Sequence, residues 1–357
     1  MAYSKALKEV VEFQNDENTQ LQEEWFHFHS LKVDKGQSPV RIDKFIVNQL
    51  GELSRNKIQN AIAAGCVKVN NVEVKSNYRV RPLDGIELVL PRSFEARTLE
   101  PEYIPLNIMY EDEDLLLINK QPNLVMHPGF GNFTGTLVHG LLHHFKDLPK
   151  KTKDDVRPGI VHRVDKNTTG VIIVAKNEYA HAHLSKQFYD HSIDRAYTAL
   201  VWGVPEPAKG SINKHVGRDE RYRKKMCAYP DGNLGKHAIT HYELLEDLGY
   251  VSLLRCTLET GRTHQIRVHM SSEGHPIFSD AMYGGDTIKR GTIYTKYKQF
   301  VENCFTIFPH YALHATVLGF THPRTKERMV FEAPLPDAFV TLLSKWRAYV
   351  TTLRNAK

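Results

Sequence analysis

His162-Arg163-Val164-Asp165-Lys166-Asn167-Thr168-Thr169-Gly170 runs straight into Val171-Ile172-Ile173-Val174-Ala175. The first nine residues are charged, hydroxylated or small. The next five are apolar and mostly β-branched. This reads as a polar turn feeding a buried strand. One carboxylate, Asp165, stands among Arg163, Lys166 and His162. Neighbouring cations keep a carboxylate ionised and oriented, and a rigid strand behind it holds it still, as a catalytic group requires. On its own an Asp-Lys pair in a turn is a surface ion pair of small worth.

Working outward, short β-branched runs recur: Leu115 to Ile118, Tyr197 to Trp202 and Val251 to Leu258, besides Val171 to Ala175. Turn clusters separate them, and Asn177 to Phe188 has the look of a helix. The pattern predicts an α+β domain over residues 106–357, with helices and loops around a central mixed, largely antiparallel sheet. Residues 41–92 form a separate pattern. Ile42, Phe45, Ile46 and Leu50 have helical spacing. Ser54 is a candidate N-cap for a second helix, with Ile58 and Ile62 on one face and Gly65 as its stop. Val67 to Val74 then alternates around Asn70-Asn71, a hairpin signal because Asn tolerates positive φ. This stretch carries Arg41, Lys44, Arg55, Lys57, Lys68, Lys75, Arg79, Arg81 and Arg92 against Asp43, Glu52, Glu73, Asp84 and Glu87. Residues 1–35 read as an acidic, partly apolar extension, 36–92 as a small α/β domain, and 93–105, with Pro101 and Pro105, as a linker.

The 357 residues suit two domains, and 41% hydrophobic with 25% charged residues is ordinary for a globular protein. A net charge of +6 permits a polyanionic partner without demanding one. No apolar run approaches the ~18 residues of a membrane span, and Met1 to Lys5 lacks a signal-peptide pattern, so a cytoplasmic location is expected. Cys66, Cys227, Cys256 and Cys304 form no C-x-x-C pair, against disulfides and a thiolate zinc site. His139 and His143 lie four apart, but there is no H-E-x-x-H and no third ligand at usual spacing, so no metal is expected and a zinc hydrolase is disfavoured. The absence of G-x-x-x-x-G-K-[ST] leaves nucleotide hydrolysis without support.

The opening stretch resembles the H-R-L-D-x-x-T-S-G signature of the RluA-type pseudouridine synthases, with Val164 for Leu and Thr169 for Ser. Glu259-Thr260-Gly261-Arg262-Thr263-His264-Gln265-Ile266-Arg267-Val268-His269 is similar to a second signature of that family. Further matches are Gly135-Thr136-Leu137, Gly235-Lys236-x-Ala238-x-Thr240 and Leu313-His314-Ala315. There are departures. Asn119-Lys120 through His127-Pro128 looks like N-K-P-x-G-L-V-x-H-P but has Gln121 and Asn123, which puts the turn in question. Phe278-Ser279-Asp280-x-x-Tyr283-Gly284 has Ser for the first Gly of G-D-x-x-Y-G, a change of little expected weight. His310-Tyr311 replace Arg-Gln before L-H-A, a change placed to alter an RNA contact. The small domain resembles the S4-like RNA-binding domain.

The resemblance implies isomerisation of uridine to pseudouridine in RNA without a cofactor. By motif match Asp165 is the reacting carboxylate, acting at C1′ or C6 as nucleophile or at C2′ as base. Arg267 would pair with it and keep it deprotonated. Tyr197 would stack on the uracil or move a proton; read alone, it is a strand aromatic facing the core. The target must be looped or flipped out, with Arg163 filling the gap or clamping a phosphate. Arg55 and Lys57 at the start of the second S4-like helix, with Arg41 and Lys44, are the candidate phosphate contacts, and Arg218, Arg221, Arg223, Lys224 and Lys225 are a candidate phosphate-tracking loop. The expected substrate is large-subunit (23S) ribosomal RNA or a pre-ribosomal particle, bound by a monomer. The same chemistry on transfer RNA, or a non-catalytic RNA-binding assembly factor, are the alternatives.

Overall fold

The computed structural model describes residues 26–51, 55–63, 67–91, 99–129, 132–145, 158–222, 225–230, 232–292 and 294–355. Two units divide the chain, Met1–Arg97 and Thr98–Lys357.

In the first unit, helices α1 (Ile42–Leu50) and α2 (Arg55–Ala63) accompany a four-stranded antiparallel sheet. Its strands are β1 (Phe26–Lys32), β2 (Val67–Val69), β3 (Val72–Glu73) and β4 (Gly85–Pro91), in the order β1-β4-β2-β3. Asn70 and Asn71, at φ 49° and 66°, make the tight turn between β2 and β3, as the Asn pair predicts. Ile42, Phe45, Ile46, Ile58 and Ile62 meet Val67, Ile86 and Leu88 in the core. Ser54 and Gly65, the expected cap and stop of α2, lie outside the described residues. Strand β1 falls within the stretch that reads as an acidic extension. Its partner β4 is far downstream, a pairing that local pattern does not reveal.

The second unit is a mixed α/β structure on one large sheet. Its strands are β5 (Ile108–Glu111), β6 (Leu115–Lys120), β7 (Thr169–Ala175), β8 (Asp194–Trp202), β9 (Lys209–Arg218), β10 (Met226–Tyr229), β11 (Lys236–Asp247), β12 (Val251–Leu258), β13 (Leu313–Thr321) and β14 (Arg328–Glu332). The order is β10-β9-β11-β12-β8-β13-β7-β6-β5, with β14 also on β13. Every pairing is antiparallel except β13 with β7, so the expected mixed, largely antiparallel sheet is present. The helices are α3 (Leu137–His144), α4 (Glu178–Tyr189), α5 (Gln265–Ser272), α6 (Thr295–Ile307) and α7 (Asp337–Asn355). Asn177 caps α4 by accepting the Ala180 N–H at 2.9 Å. Leu99, Ile104 and Leu106 pack against the apolar cluster around Leu116, Leu137 and Val138. Residues 99–105 of the expected linker are thus anchored to this core. The largest core gathers Trp202, Phe278, Phe339 and Trp346. No described helix is long and apolar enough to cross a membrane.

The parallel contact is short, and it assembles the site. Ala315 of β13 pairs with Tyr197 of β8 on one side and with Gly170 of β7 on the other. The loop carrying Asp165 therefore enters β7 two strands from Tyr197, about 10 Å across the sheet. The close approach requires glycine: at φ +107° a β-carbon on Gly170 would lie 2.1 Å from the Ala315 carbonyl oxygen.

Candidate active site

Asp165 lies on the loop before β7, and its side chain is 17% exposed. His162 braces this loop: its Nε2 accepts the Ile173 N–H at 3.0 Å and its ring stacks on Phe188 at 4.6 Å. Burial, helped by the Arg195 cation, pushes the His162 pKa down to about 3, so the ring is neutral and can accept. From the other side, the Lys120 ammonium donates to the carbonyls of Gln121, Leu124 and Lys166 at 2.8, 3.0 and 2.9 Å. The last of these follows Asp165 directly. Burial pulls the Lys120 pKa down to about 7 while Asp165 works against it. Three carbonyls leave no place for an amine lone pair, so the charged form is the one held here.

Helix α5 supplies Arg267, which is buried. Its Nε and Nη2 donate to the two oxygens of the buried Asp280, at 2.7 and 2.9 Å. Its Nη1 donates to Asp165 Oδ2 at 3.1 Å. The guanidinium also lies 4.0 Å from the Tyr311 ring centroid and 5.0 Å from that of Tyr283. Burial works against this cation, but the hydrogen bonds and charge of Asp280, with Asp165 behind, outweigh it and raise its pKa. The expected Asp165–Arg267 pair is thus one arm of an Asp165–Arg267–Asp280 chain. Asp280 and Lys120 both stand within the motifs, but the sequence assigns neither a role.

His264 is a further residue of the second motif to which the sequence assigns no role. It sits in the left-handed region (φ 57°) at the start of α5, with Nε2 3.9 Å from Asp165 Oδ2. Tyr283 Oη accepts the Met226 N–H at 3.0 Å and meets His264 Nδ1 at 2.8 Å. A neutral imidazole that accepts the phenol proton at Nδ1 carries its own proton on Nε2, on the side of Asp165. Burial lowers the His264 pKa, with Asp165 opposing.

Asp165, Arg267, His264, Tyr197, Arg163 and Arg195 line an open cleft of about 680 Å³. Tyr197 is half-buried on β8. Burial raises its phenol pKa, so it stays protonated at neutral pH. Arg163 is exposed at the mouth. A second chamber of about 460 Å³ opens beyond Asp165, lined by Ser279, Met282, Pro309, His310 and Tyr311. Arg163, Asp165, His264 and Arg267 border both spaces.

The S4-like candidates sit in the first unit. Arg41 and Arg55 both bond the buried Asp43, at 3.0 Å each, and Gln59 joins them at 2.6 Å. Burial pushes the Asp43 carboxyl up, but these donors outweigh it and hold it far below the usual range. The two guanidiniums are half-exposed and held in fixed positions. Lys44 is exposed on α1, and Lys57 lies on α2. Of the basic run, Arg223 and Lys224 lie outside the described residues, Arg221 is exposed, and Lys225 Nζ stands 5.4 Å from the Tyr283 ring. Among the histidines, His139 is consumed by a capping box at the start of α3, its Nδ1 2.7 Å from Thr136 Oγ1. Asp112, Asp114 and His322 have the composition of a metal site, but Arg324 takes both oxygens of Asp114, and Asp112 accepts from His322 and Tyr110.

A family model described as RNA pseudouridylate synthase matches residues 114–272, and one for the S4 domain matches residues 40–86. An uncharacterized RNA pseudouridine synthase of Chlorobaculum parvum is 47% identical over 91% of this chain and 100% of its own. The ribosomal large subunit pseudouridine synthase D of Zymomonas mobilis is 39% identical over 83% of this chain and 90% of its own. Among solved structures, human RNA pseudouridylate synthase domain containing 4 superposes with a TM-score of 0.52 at 25% identity, over 68% of this chain and 93% of that one. Fold, motifs and relatives agree: the chain belongs to the RNA pseudouridine synthases, isomerases of RNA uridine, and carries an S4 domain ahead of the synthase unit.

Proposed function

We propose that this enzyme isomerises uridines of large-subunit (23S) ribosomal RNA, with Asp165 as the reacting carboxylate and no cofactor. The observation that carries the reading is the buried Asp280–Arg267 clamp, which turns one guanidinium nitrogen on Asp165 inside a cleft shared with Tyr197. In that setting Arg267 holds the Asp165 carboxylate in place inside the cleft. The C1′–N1 bond breaks, the uracil turns, and a C1′–C5 bond forms; C5 loses a proton and N1 gains one, so reactant and product are isomers. Tyr197, protonated at neutral pH, packs against the base or carries a proton. The target nucleotide leaves its stack to reach Asp165, and Arg163 at the mouth fills the gap or clamps a phosphate. Arg41 and Arg55, held by Asp43, with Lys44 and Lys57, meet phosphates from the S4 domain. The ribosomal substrate is supported by relatives named large subunit pseudouridine synthase D. With it go a cytoplasmic location and action as a monomer.

The test is pseudouridine mapping across all RNA of cells with and without the gene, complemented by wild type or Asp165→Asn. Large-subunit sites that vanish and return only with wild type are expected. Sites lost only in transfer RNA would overturn the substrate, and no change in any RNA would overturn the activity.

A further inference from the structure

Of the positions where the chain departs from the family's motifs, the structure brings four together: Asn123, Ser279, His310 and Tyr311. Ser279, His310 and Tyr311 line the second chamber, on the far side of Asp165. Asn123 Nδ2 donates to His310 Nε2 at 3.0 Å, and the Asn123 N–H donates to the side chain of Asn167, another lining residue, at 3.1 Å. Tyr311 Oη accepts the Asn167 N–H at 3.0 Å.

Two of these positions have backbone suited to glycine: Asn123 at φ 62° and Ser279 at φ 63°. Asn tolerates that region and so keeps the turn. Ser279 does so at a cost. Its β-carbon is strained there, and its Oγ is buried with no hydrogen-bond partner among the described residues while the residue is only 7% exposed. A glycine would remove both penalties. Among the described residues nothing offsets them, which points to a ligand that accepts from or donates to this hydroxyl.

We infer that the second chamber holds an RNA nucleotide next to the target uridine, and that Ser279, His310 and Asn123 decide which neighbouring base is accepted. The inference rests on the functional reading above, since it presumes a uridine at Asp165. The chemistry fits a splayed-out base. Met282 and Pro309 offer apolar surface for a ring face. Accepting from Asn123 at Nε2 leaves His310 with a proton on Nδ1, a donor for a base edge. Arg163 and Lys166, both exposed and both lining the chamber, supply cations for the flanking phosphates.

The test uses the full-length protein and total RNA from cells lacking the gene, which is unmodified at every site this enzyme serves. Wild type, His310→Ala and Ser279→Gly/His310→Ala are compared by site mapping. Rates are then measured on short transcripts of the modified sites with each flanking base exchanged. Both variants are expected to lose about tenfold in kcat/KM, carried by KM, and to discriminate less between flanking bases. The double variant is also expected to melt higher, because the strain at position 279 is gone. Unchanged sites, rates and discrimination in His310→Ala overturn the inference even if the double variant fails to fold. A higher melting temperature for the double variant with wild-type kinetics overturns it as well. No pseudouridine from wild type in any RNA defeats the functional reading instead.

Discussion

Asp280 grips Arg267 through two nitrogens, at 2.7 and 2.9 Å, and so decides that the third one meets Asp165. Both partners of the grip are buried. Removing Asp280 leaves the buried guanidinium with only its single bond to Asp165, a loss of about 3 kcal/mol, the low end for a broken buried pair. Asp280→Ala is expected to lower the urea midpoint accordingly. Arg267→Lys keeps a positive charge but cannot span both carboxylates. It is expected to fold and to lose about 100-fold in kcat through misplacement of Asp165. A Lys variant with wild-type kcat would show that charge alone suffices.

Asp165→Asn removes the carboxylate proposed to react, while Arg267 keeps Asp280. Stability should stay within about 1 kcal/mol of wild type and RNA affinity should be near normal. Pseudouridine formation should fall by at least about 10³-fold. Tritium release from 5-³H-uridine RNA measures this, and residual turnover well above that level would remove Asp165 from its assigned role.

Gly170→Ala drives a β-carbon into the Ala315 carbonyl at a backbone angle that side chains avoid. A destabilisation on the order of 3 kcal/mol or more is expected, as backbone shift and strain combine. Denaturant unfolding reads it directly. A variant as stable as wild type would mean that β7 and β13 do not meet as described.

Two buried imidazoles set a pH dependence. Burial takes His162 down to about 3 and His269 down to about 4, the latter despite the Lys214 carbonyl and Glu273 beside it. In the unfolded chain both return to about 6.5. Between these values the unfolded state binds more protons, so stability rises with pH. It is fully present above about pH 6.5 and is lost as pH falls towards 4 and 3. Unfolding at pH 5 should show a loss of about 4 kcal/mol relative to pH 7, roughly half from each imidazole. His269→Gln should flatten that slope.

Removal of residues 1–97 deletes the S4 unit. RNA binding is expected to weaken and its dependence on salt to become shallower, since each lost phosphate contact removes about 0.7–0.9 from the slope. Unchanged affinity and slope in filter binding would show that Arg41, Lys44, Arg55 and Lys57 contact no RNA.

The elements were legible from sequence wherever the signal is local. The apolar run Val171 to Ala175 became β7, the spacing of Ile42, Phe45 and Ile46 became α1, and Asn70-Asn71 became the hairpin turn. The two long motifs carried the family resemblance, and it was that resemblance, not the spacing of the residues, that implied a pairing of Asp165 with Arg267; the contact itself, at 3.1 Å, belongs to the fold. Three things depended on contacts between residues far apart in the chain. The pairing of Ala315 with both Tyr197 and Gly170 set the distance across the site. Asp280 gave Arg267 its orientation, although in the sequence it is one acidic residue of a turn. Ser279, a change of little weight as text, became a strained residue with a buried, unpartnered hydroxyl once φ and burial were known. Periodicity and turn chemistry act over a few residues and are written in the chain; burial, register and the partner of a charge are properties of the packed structure, and only the fold decides them.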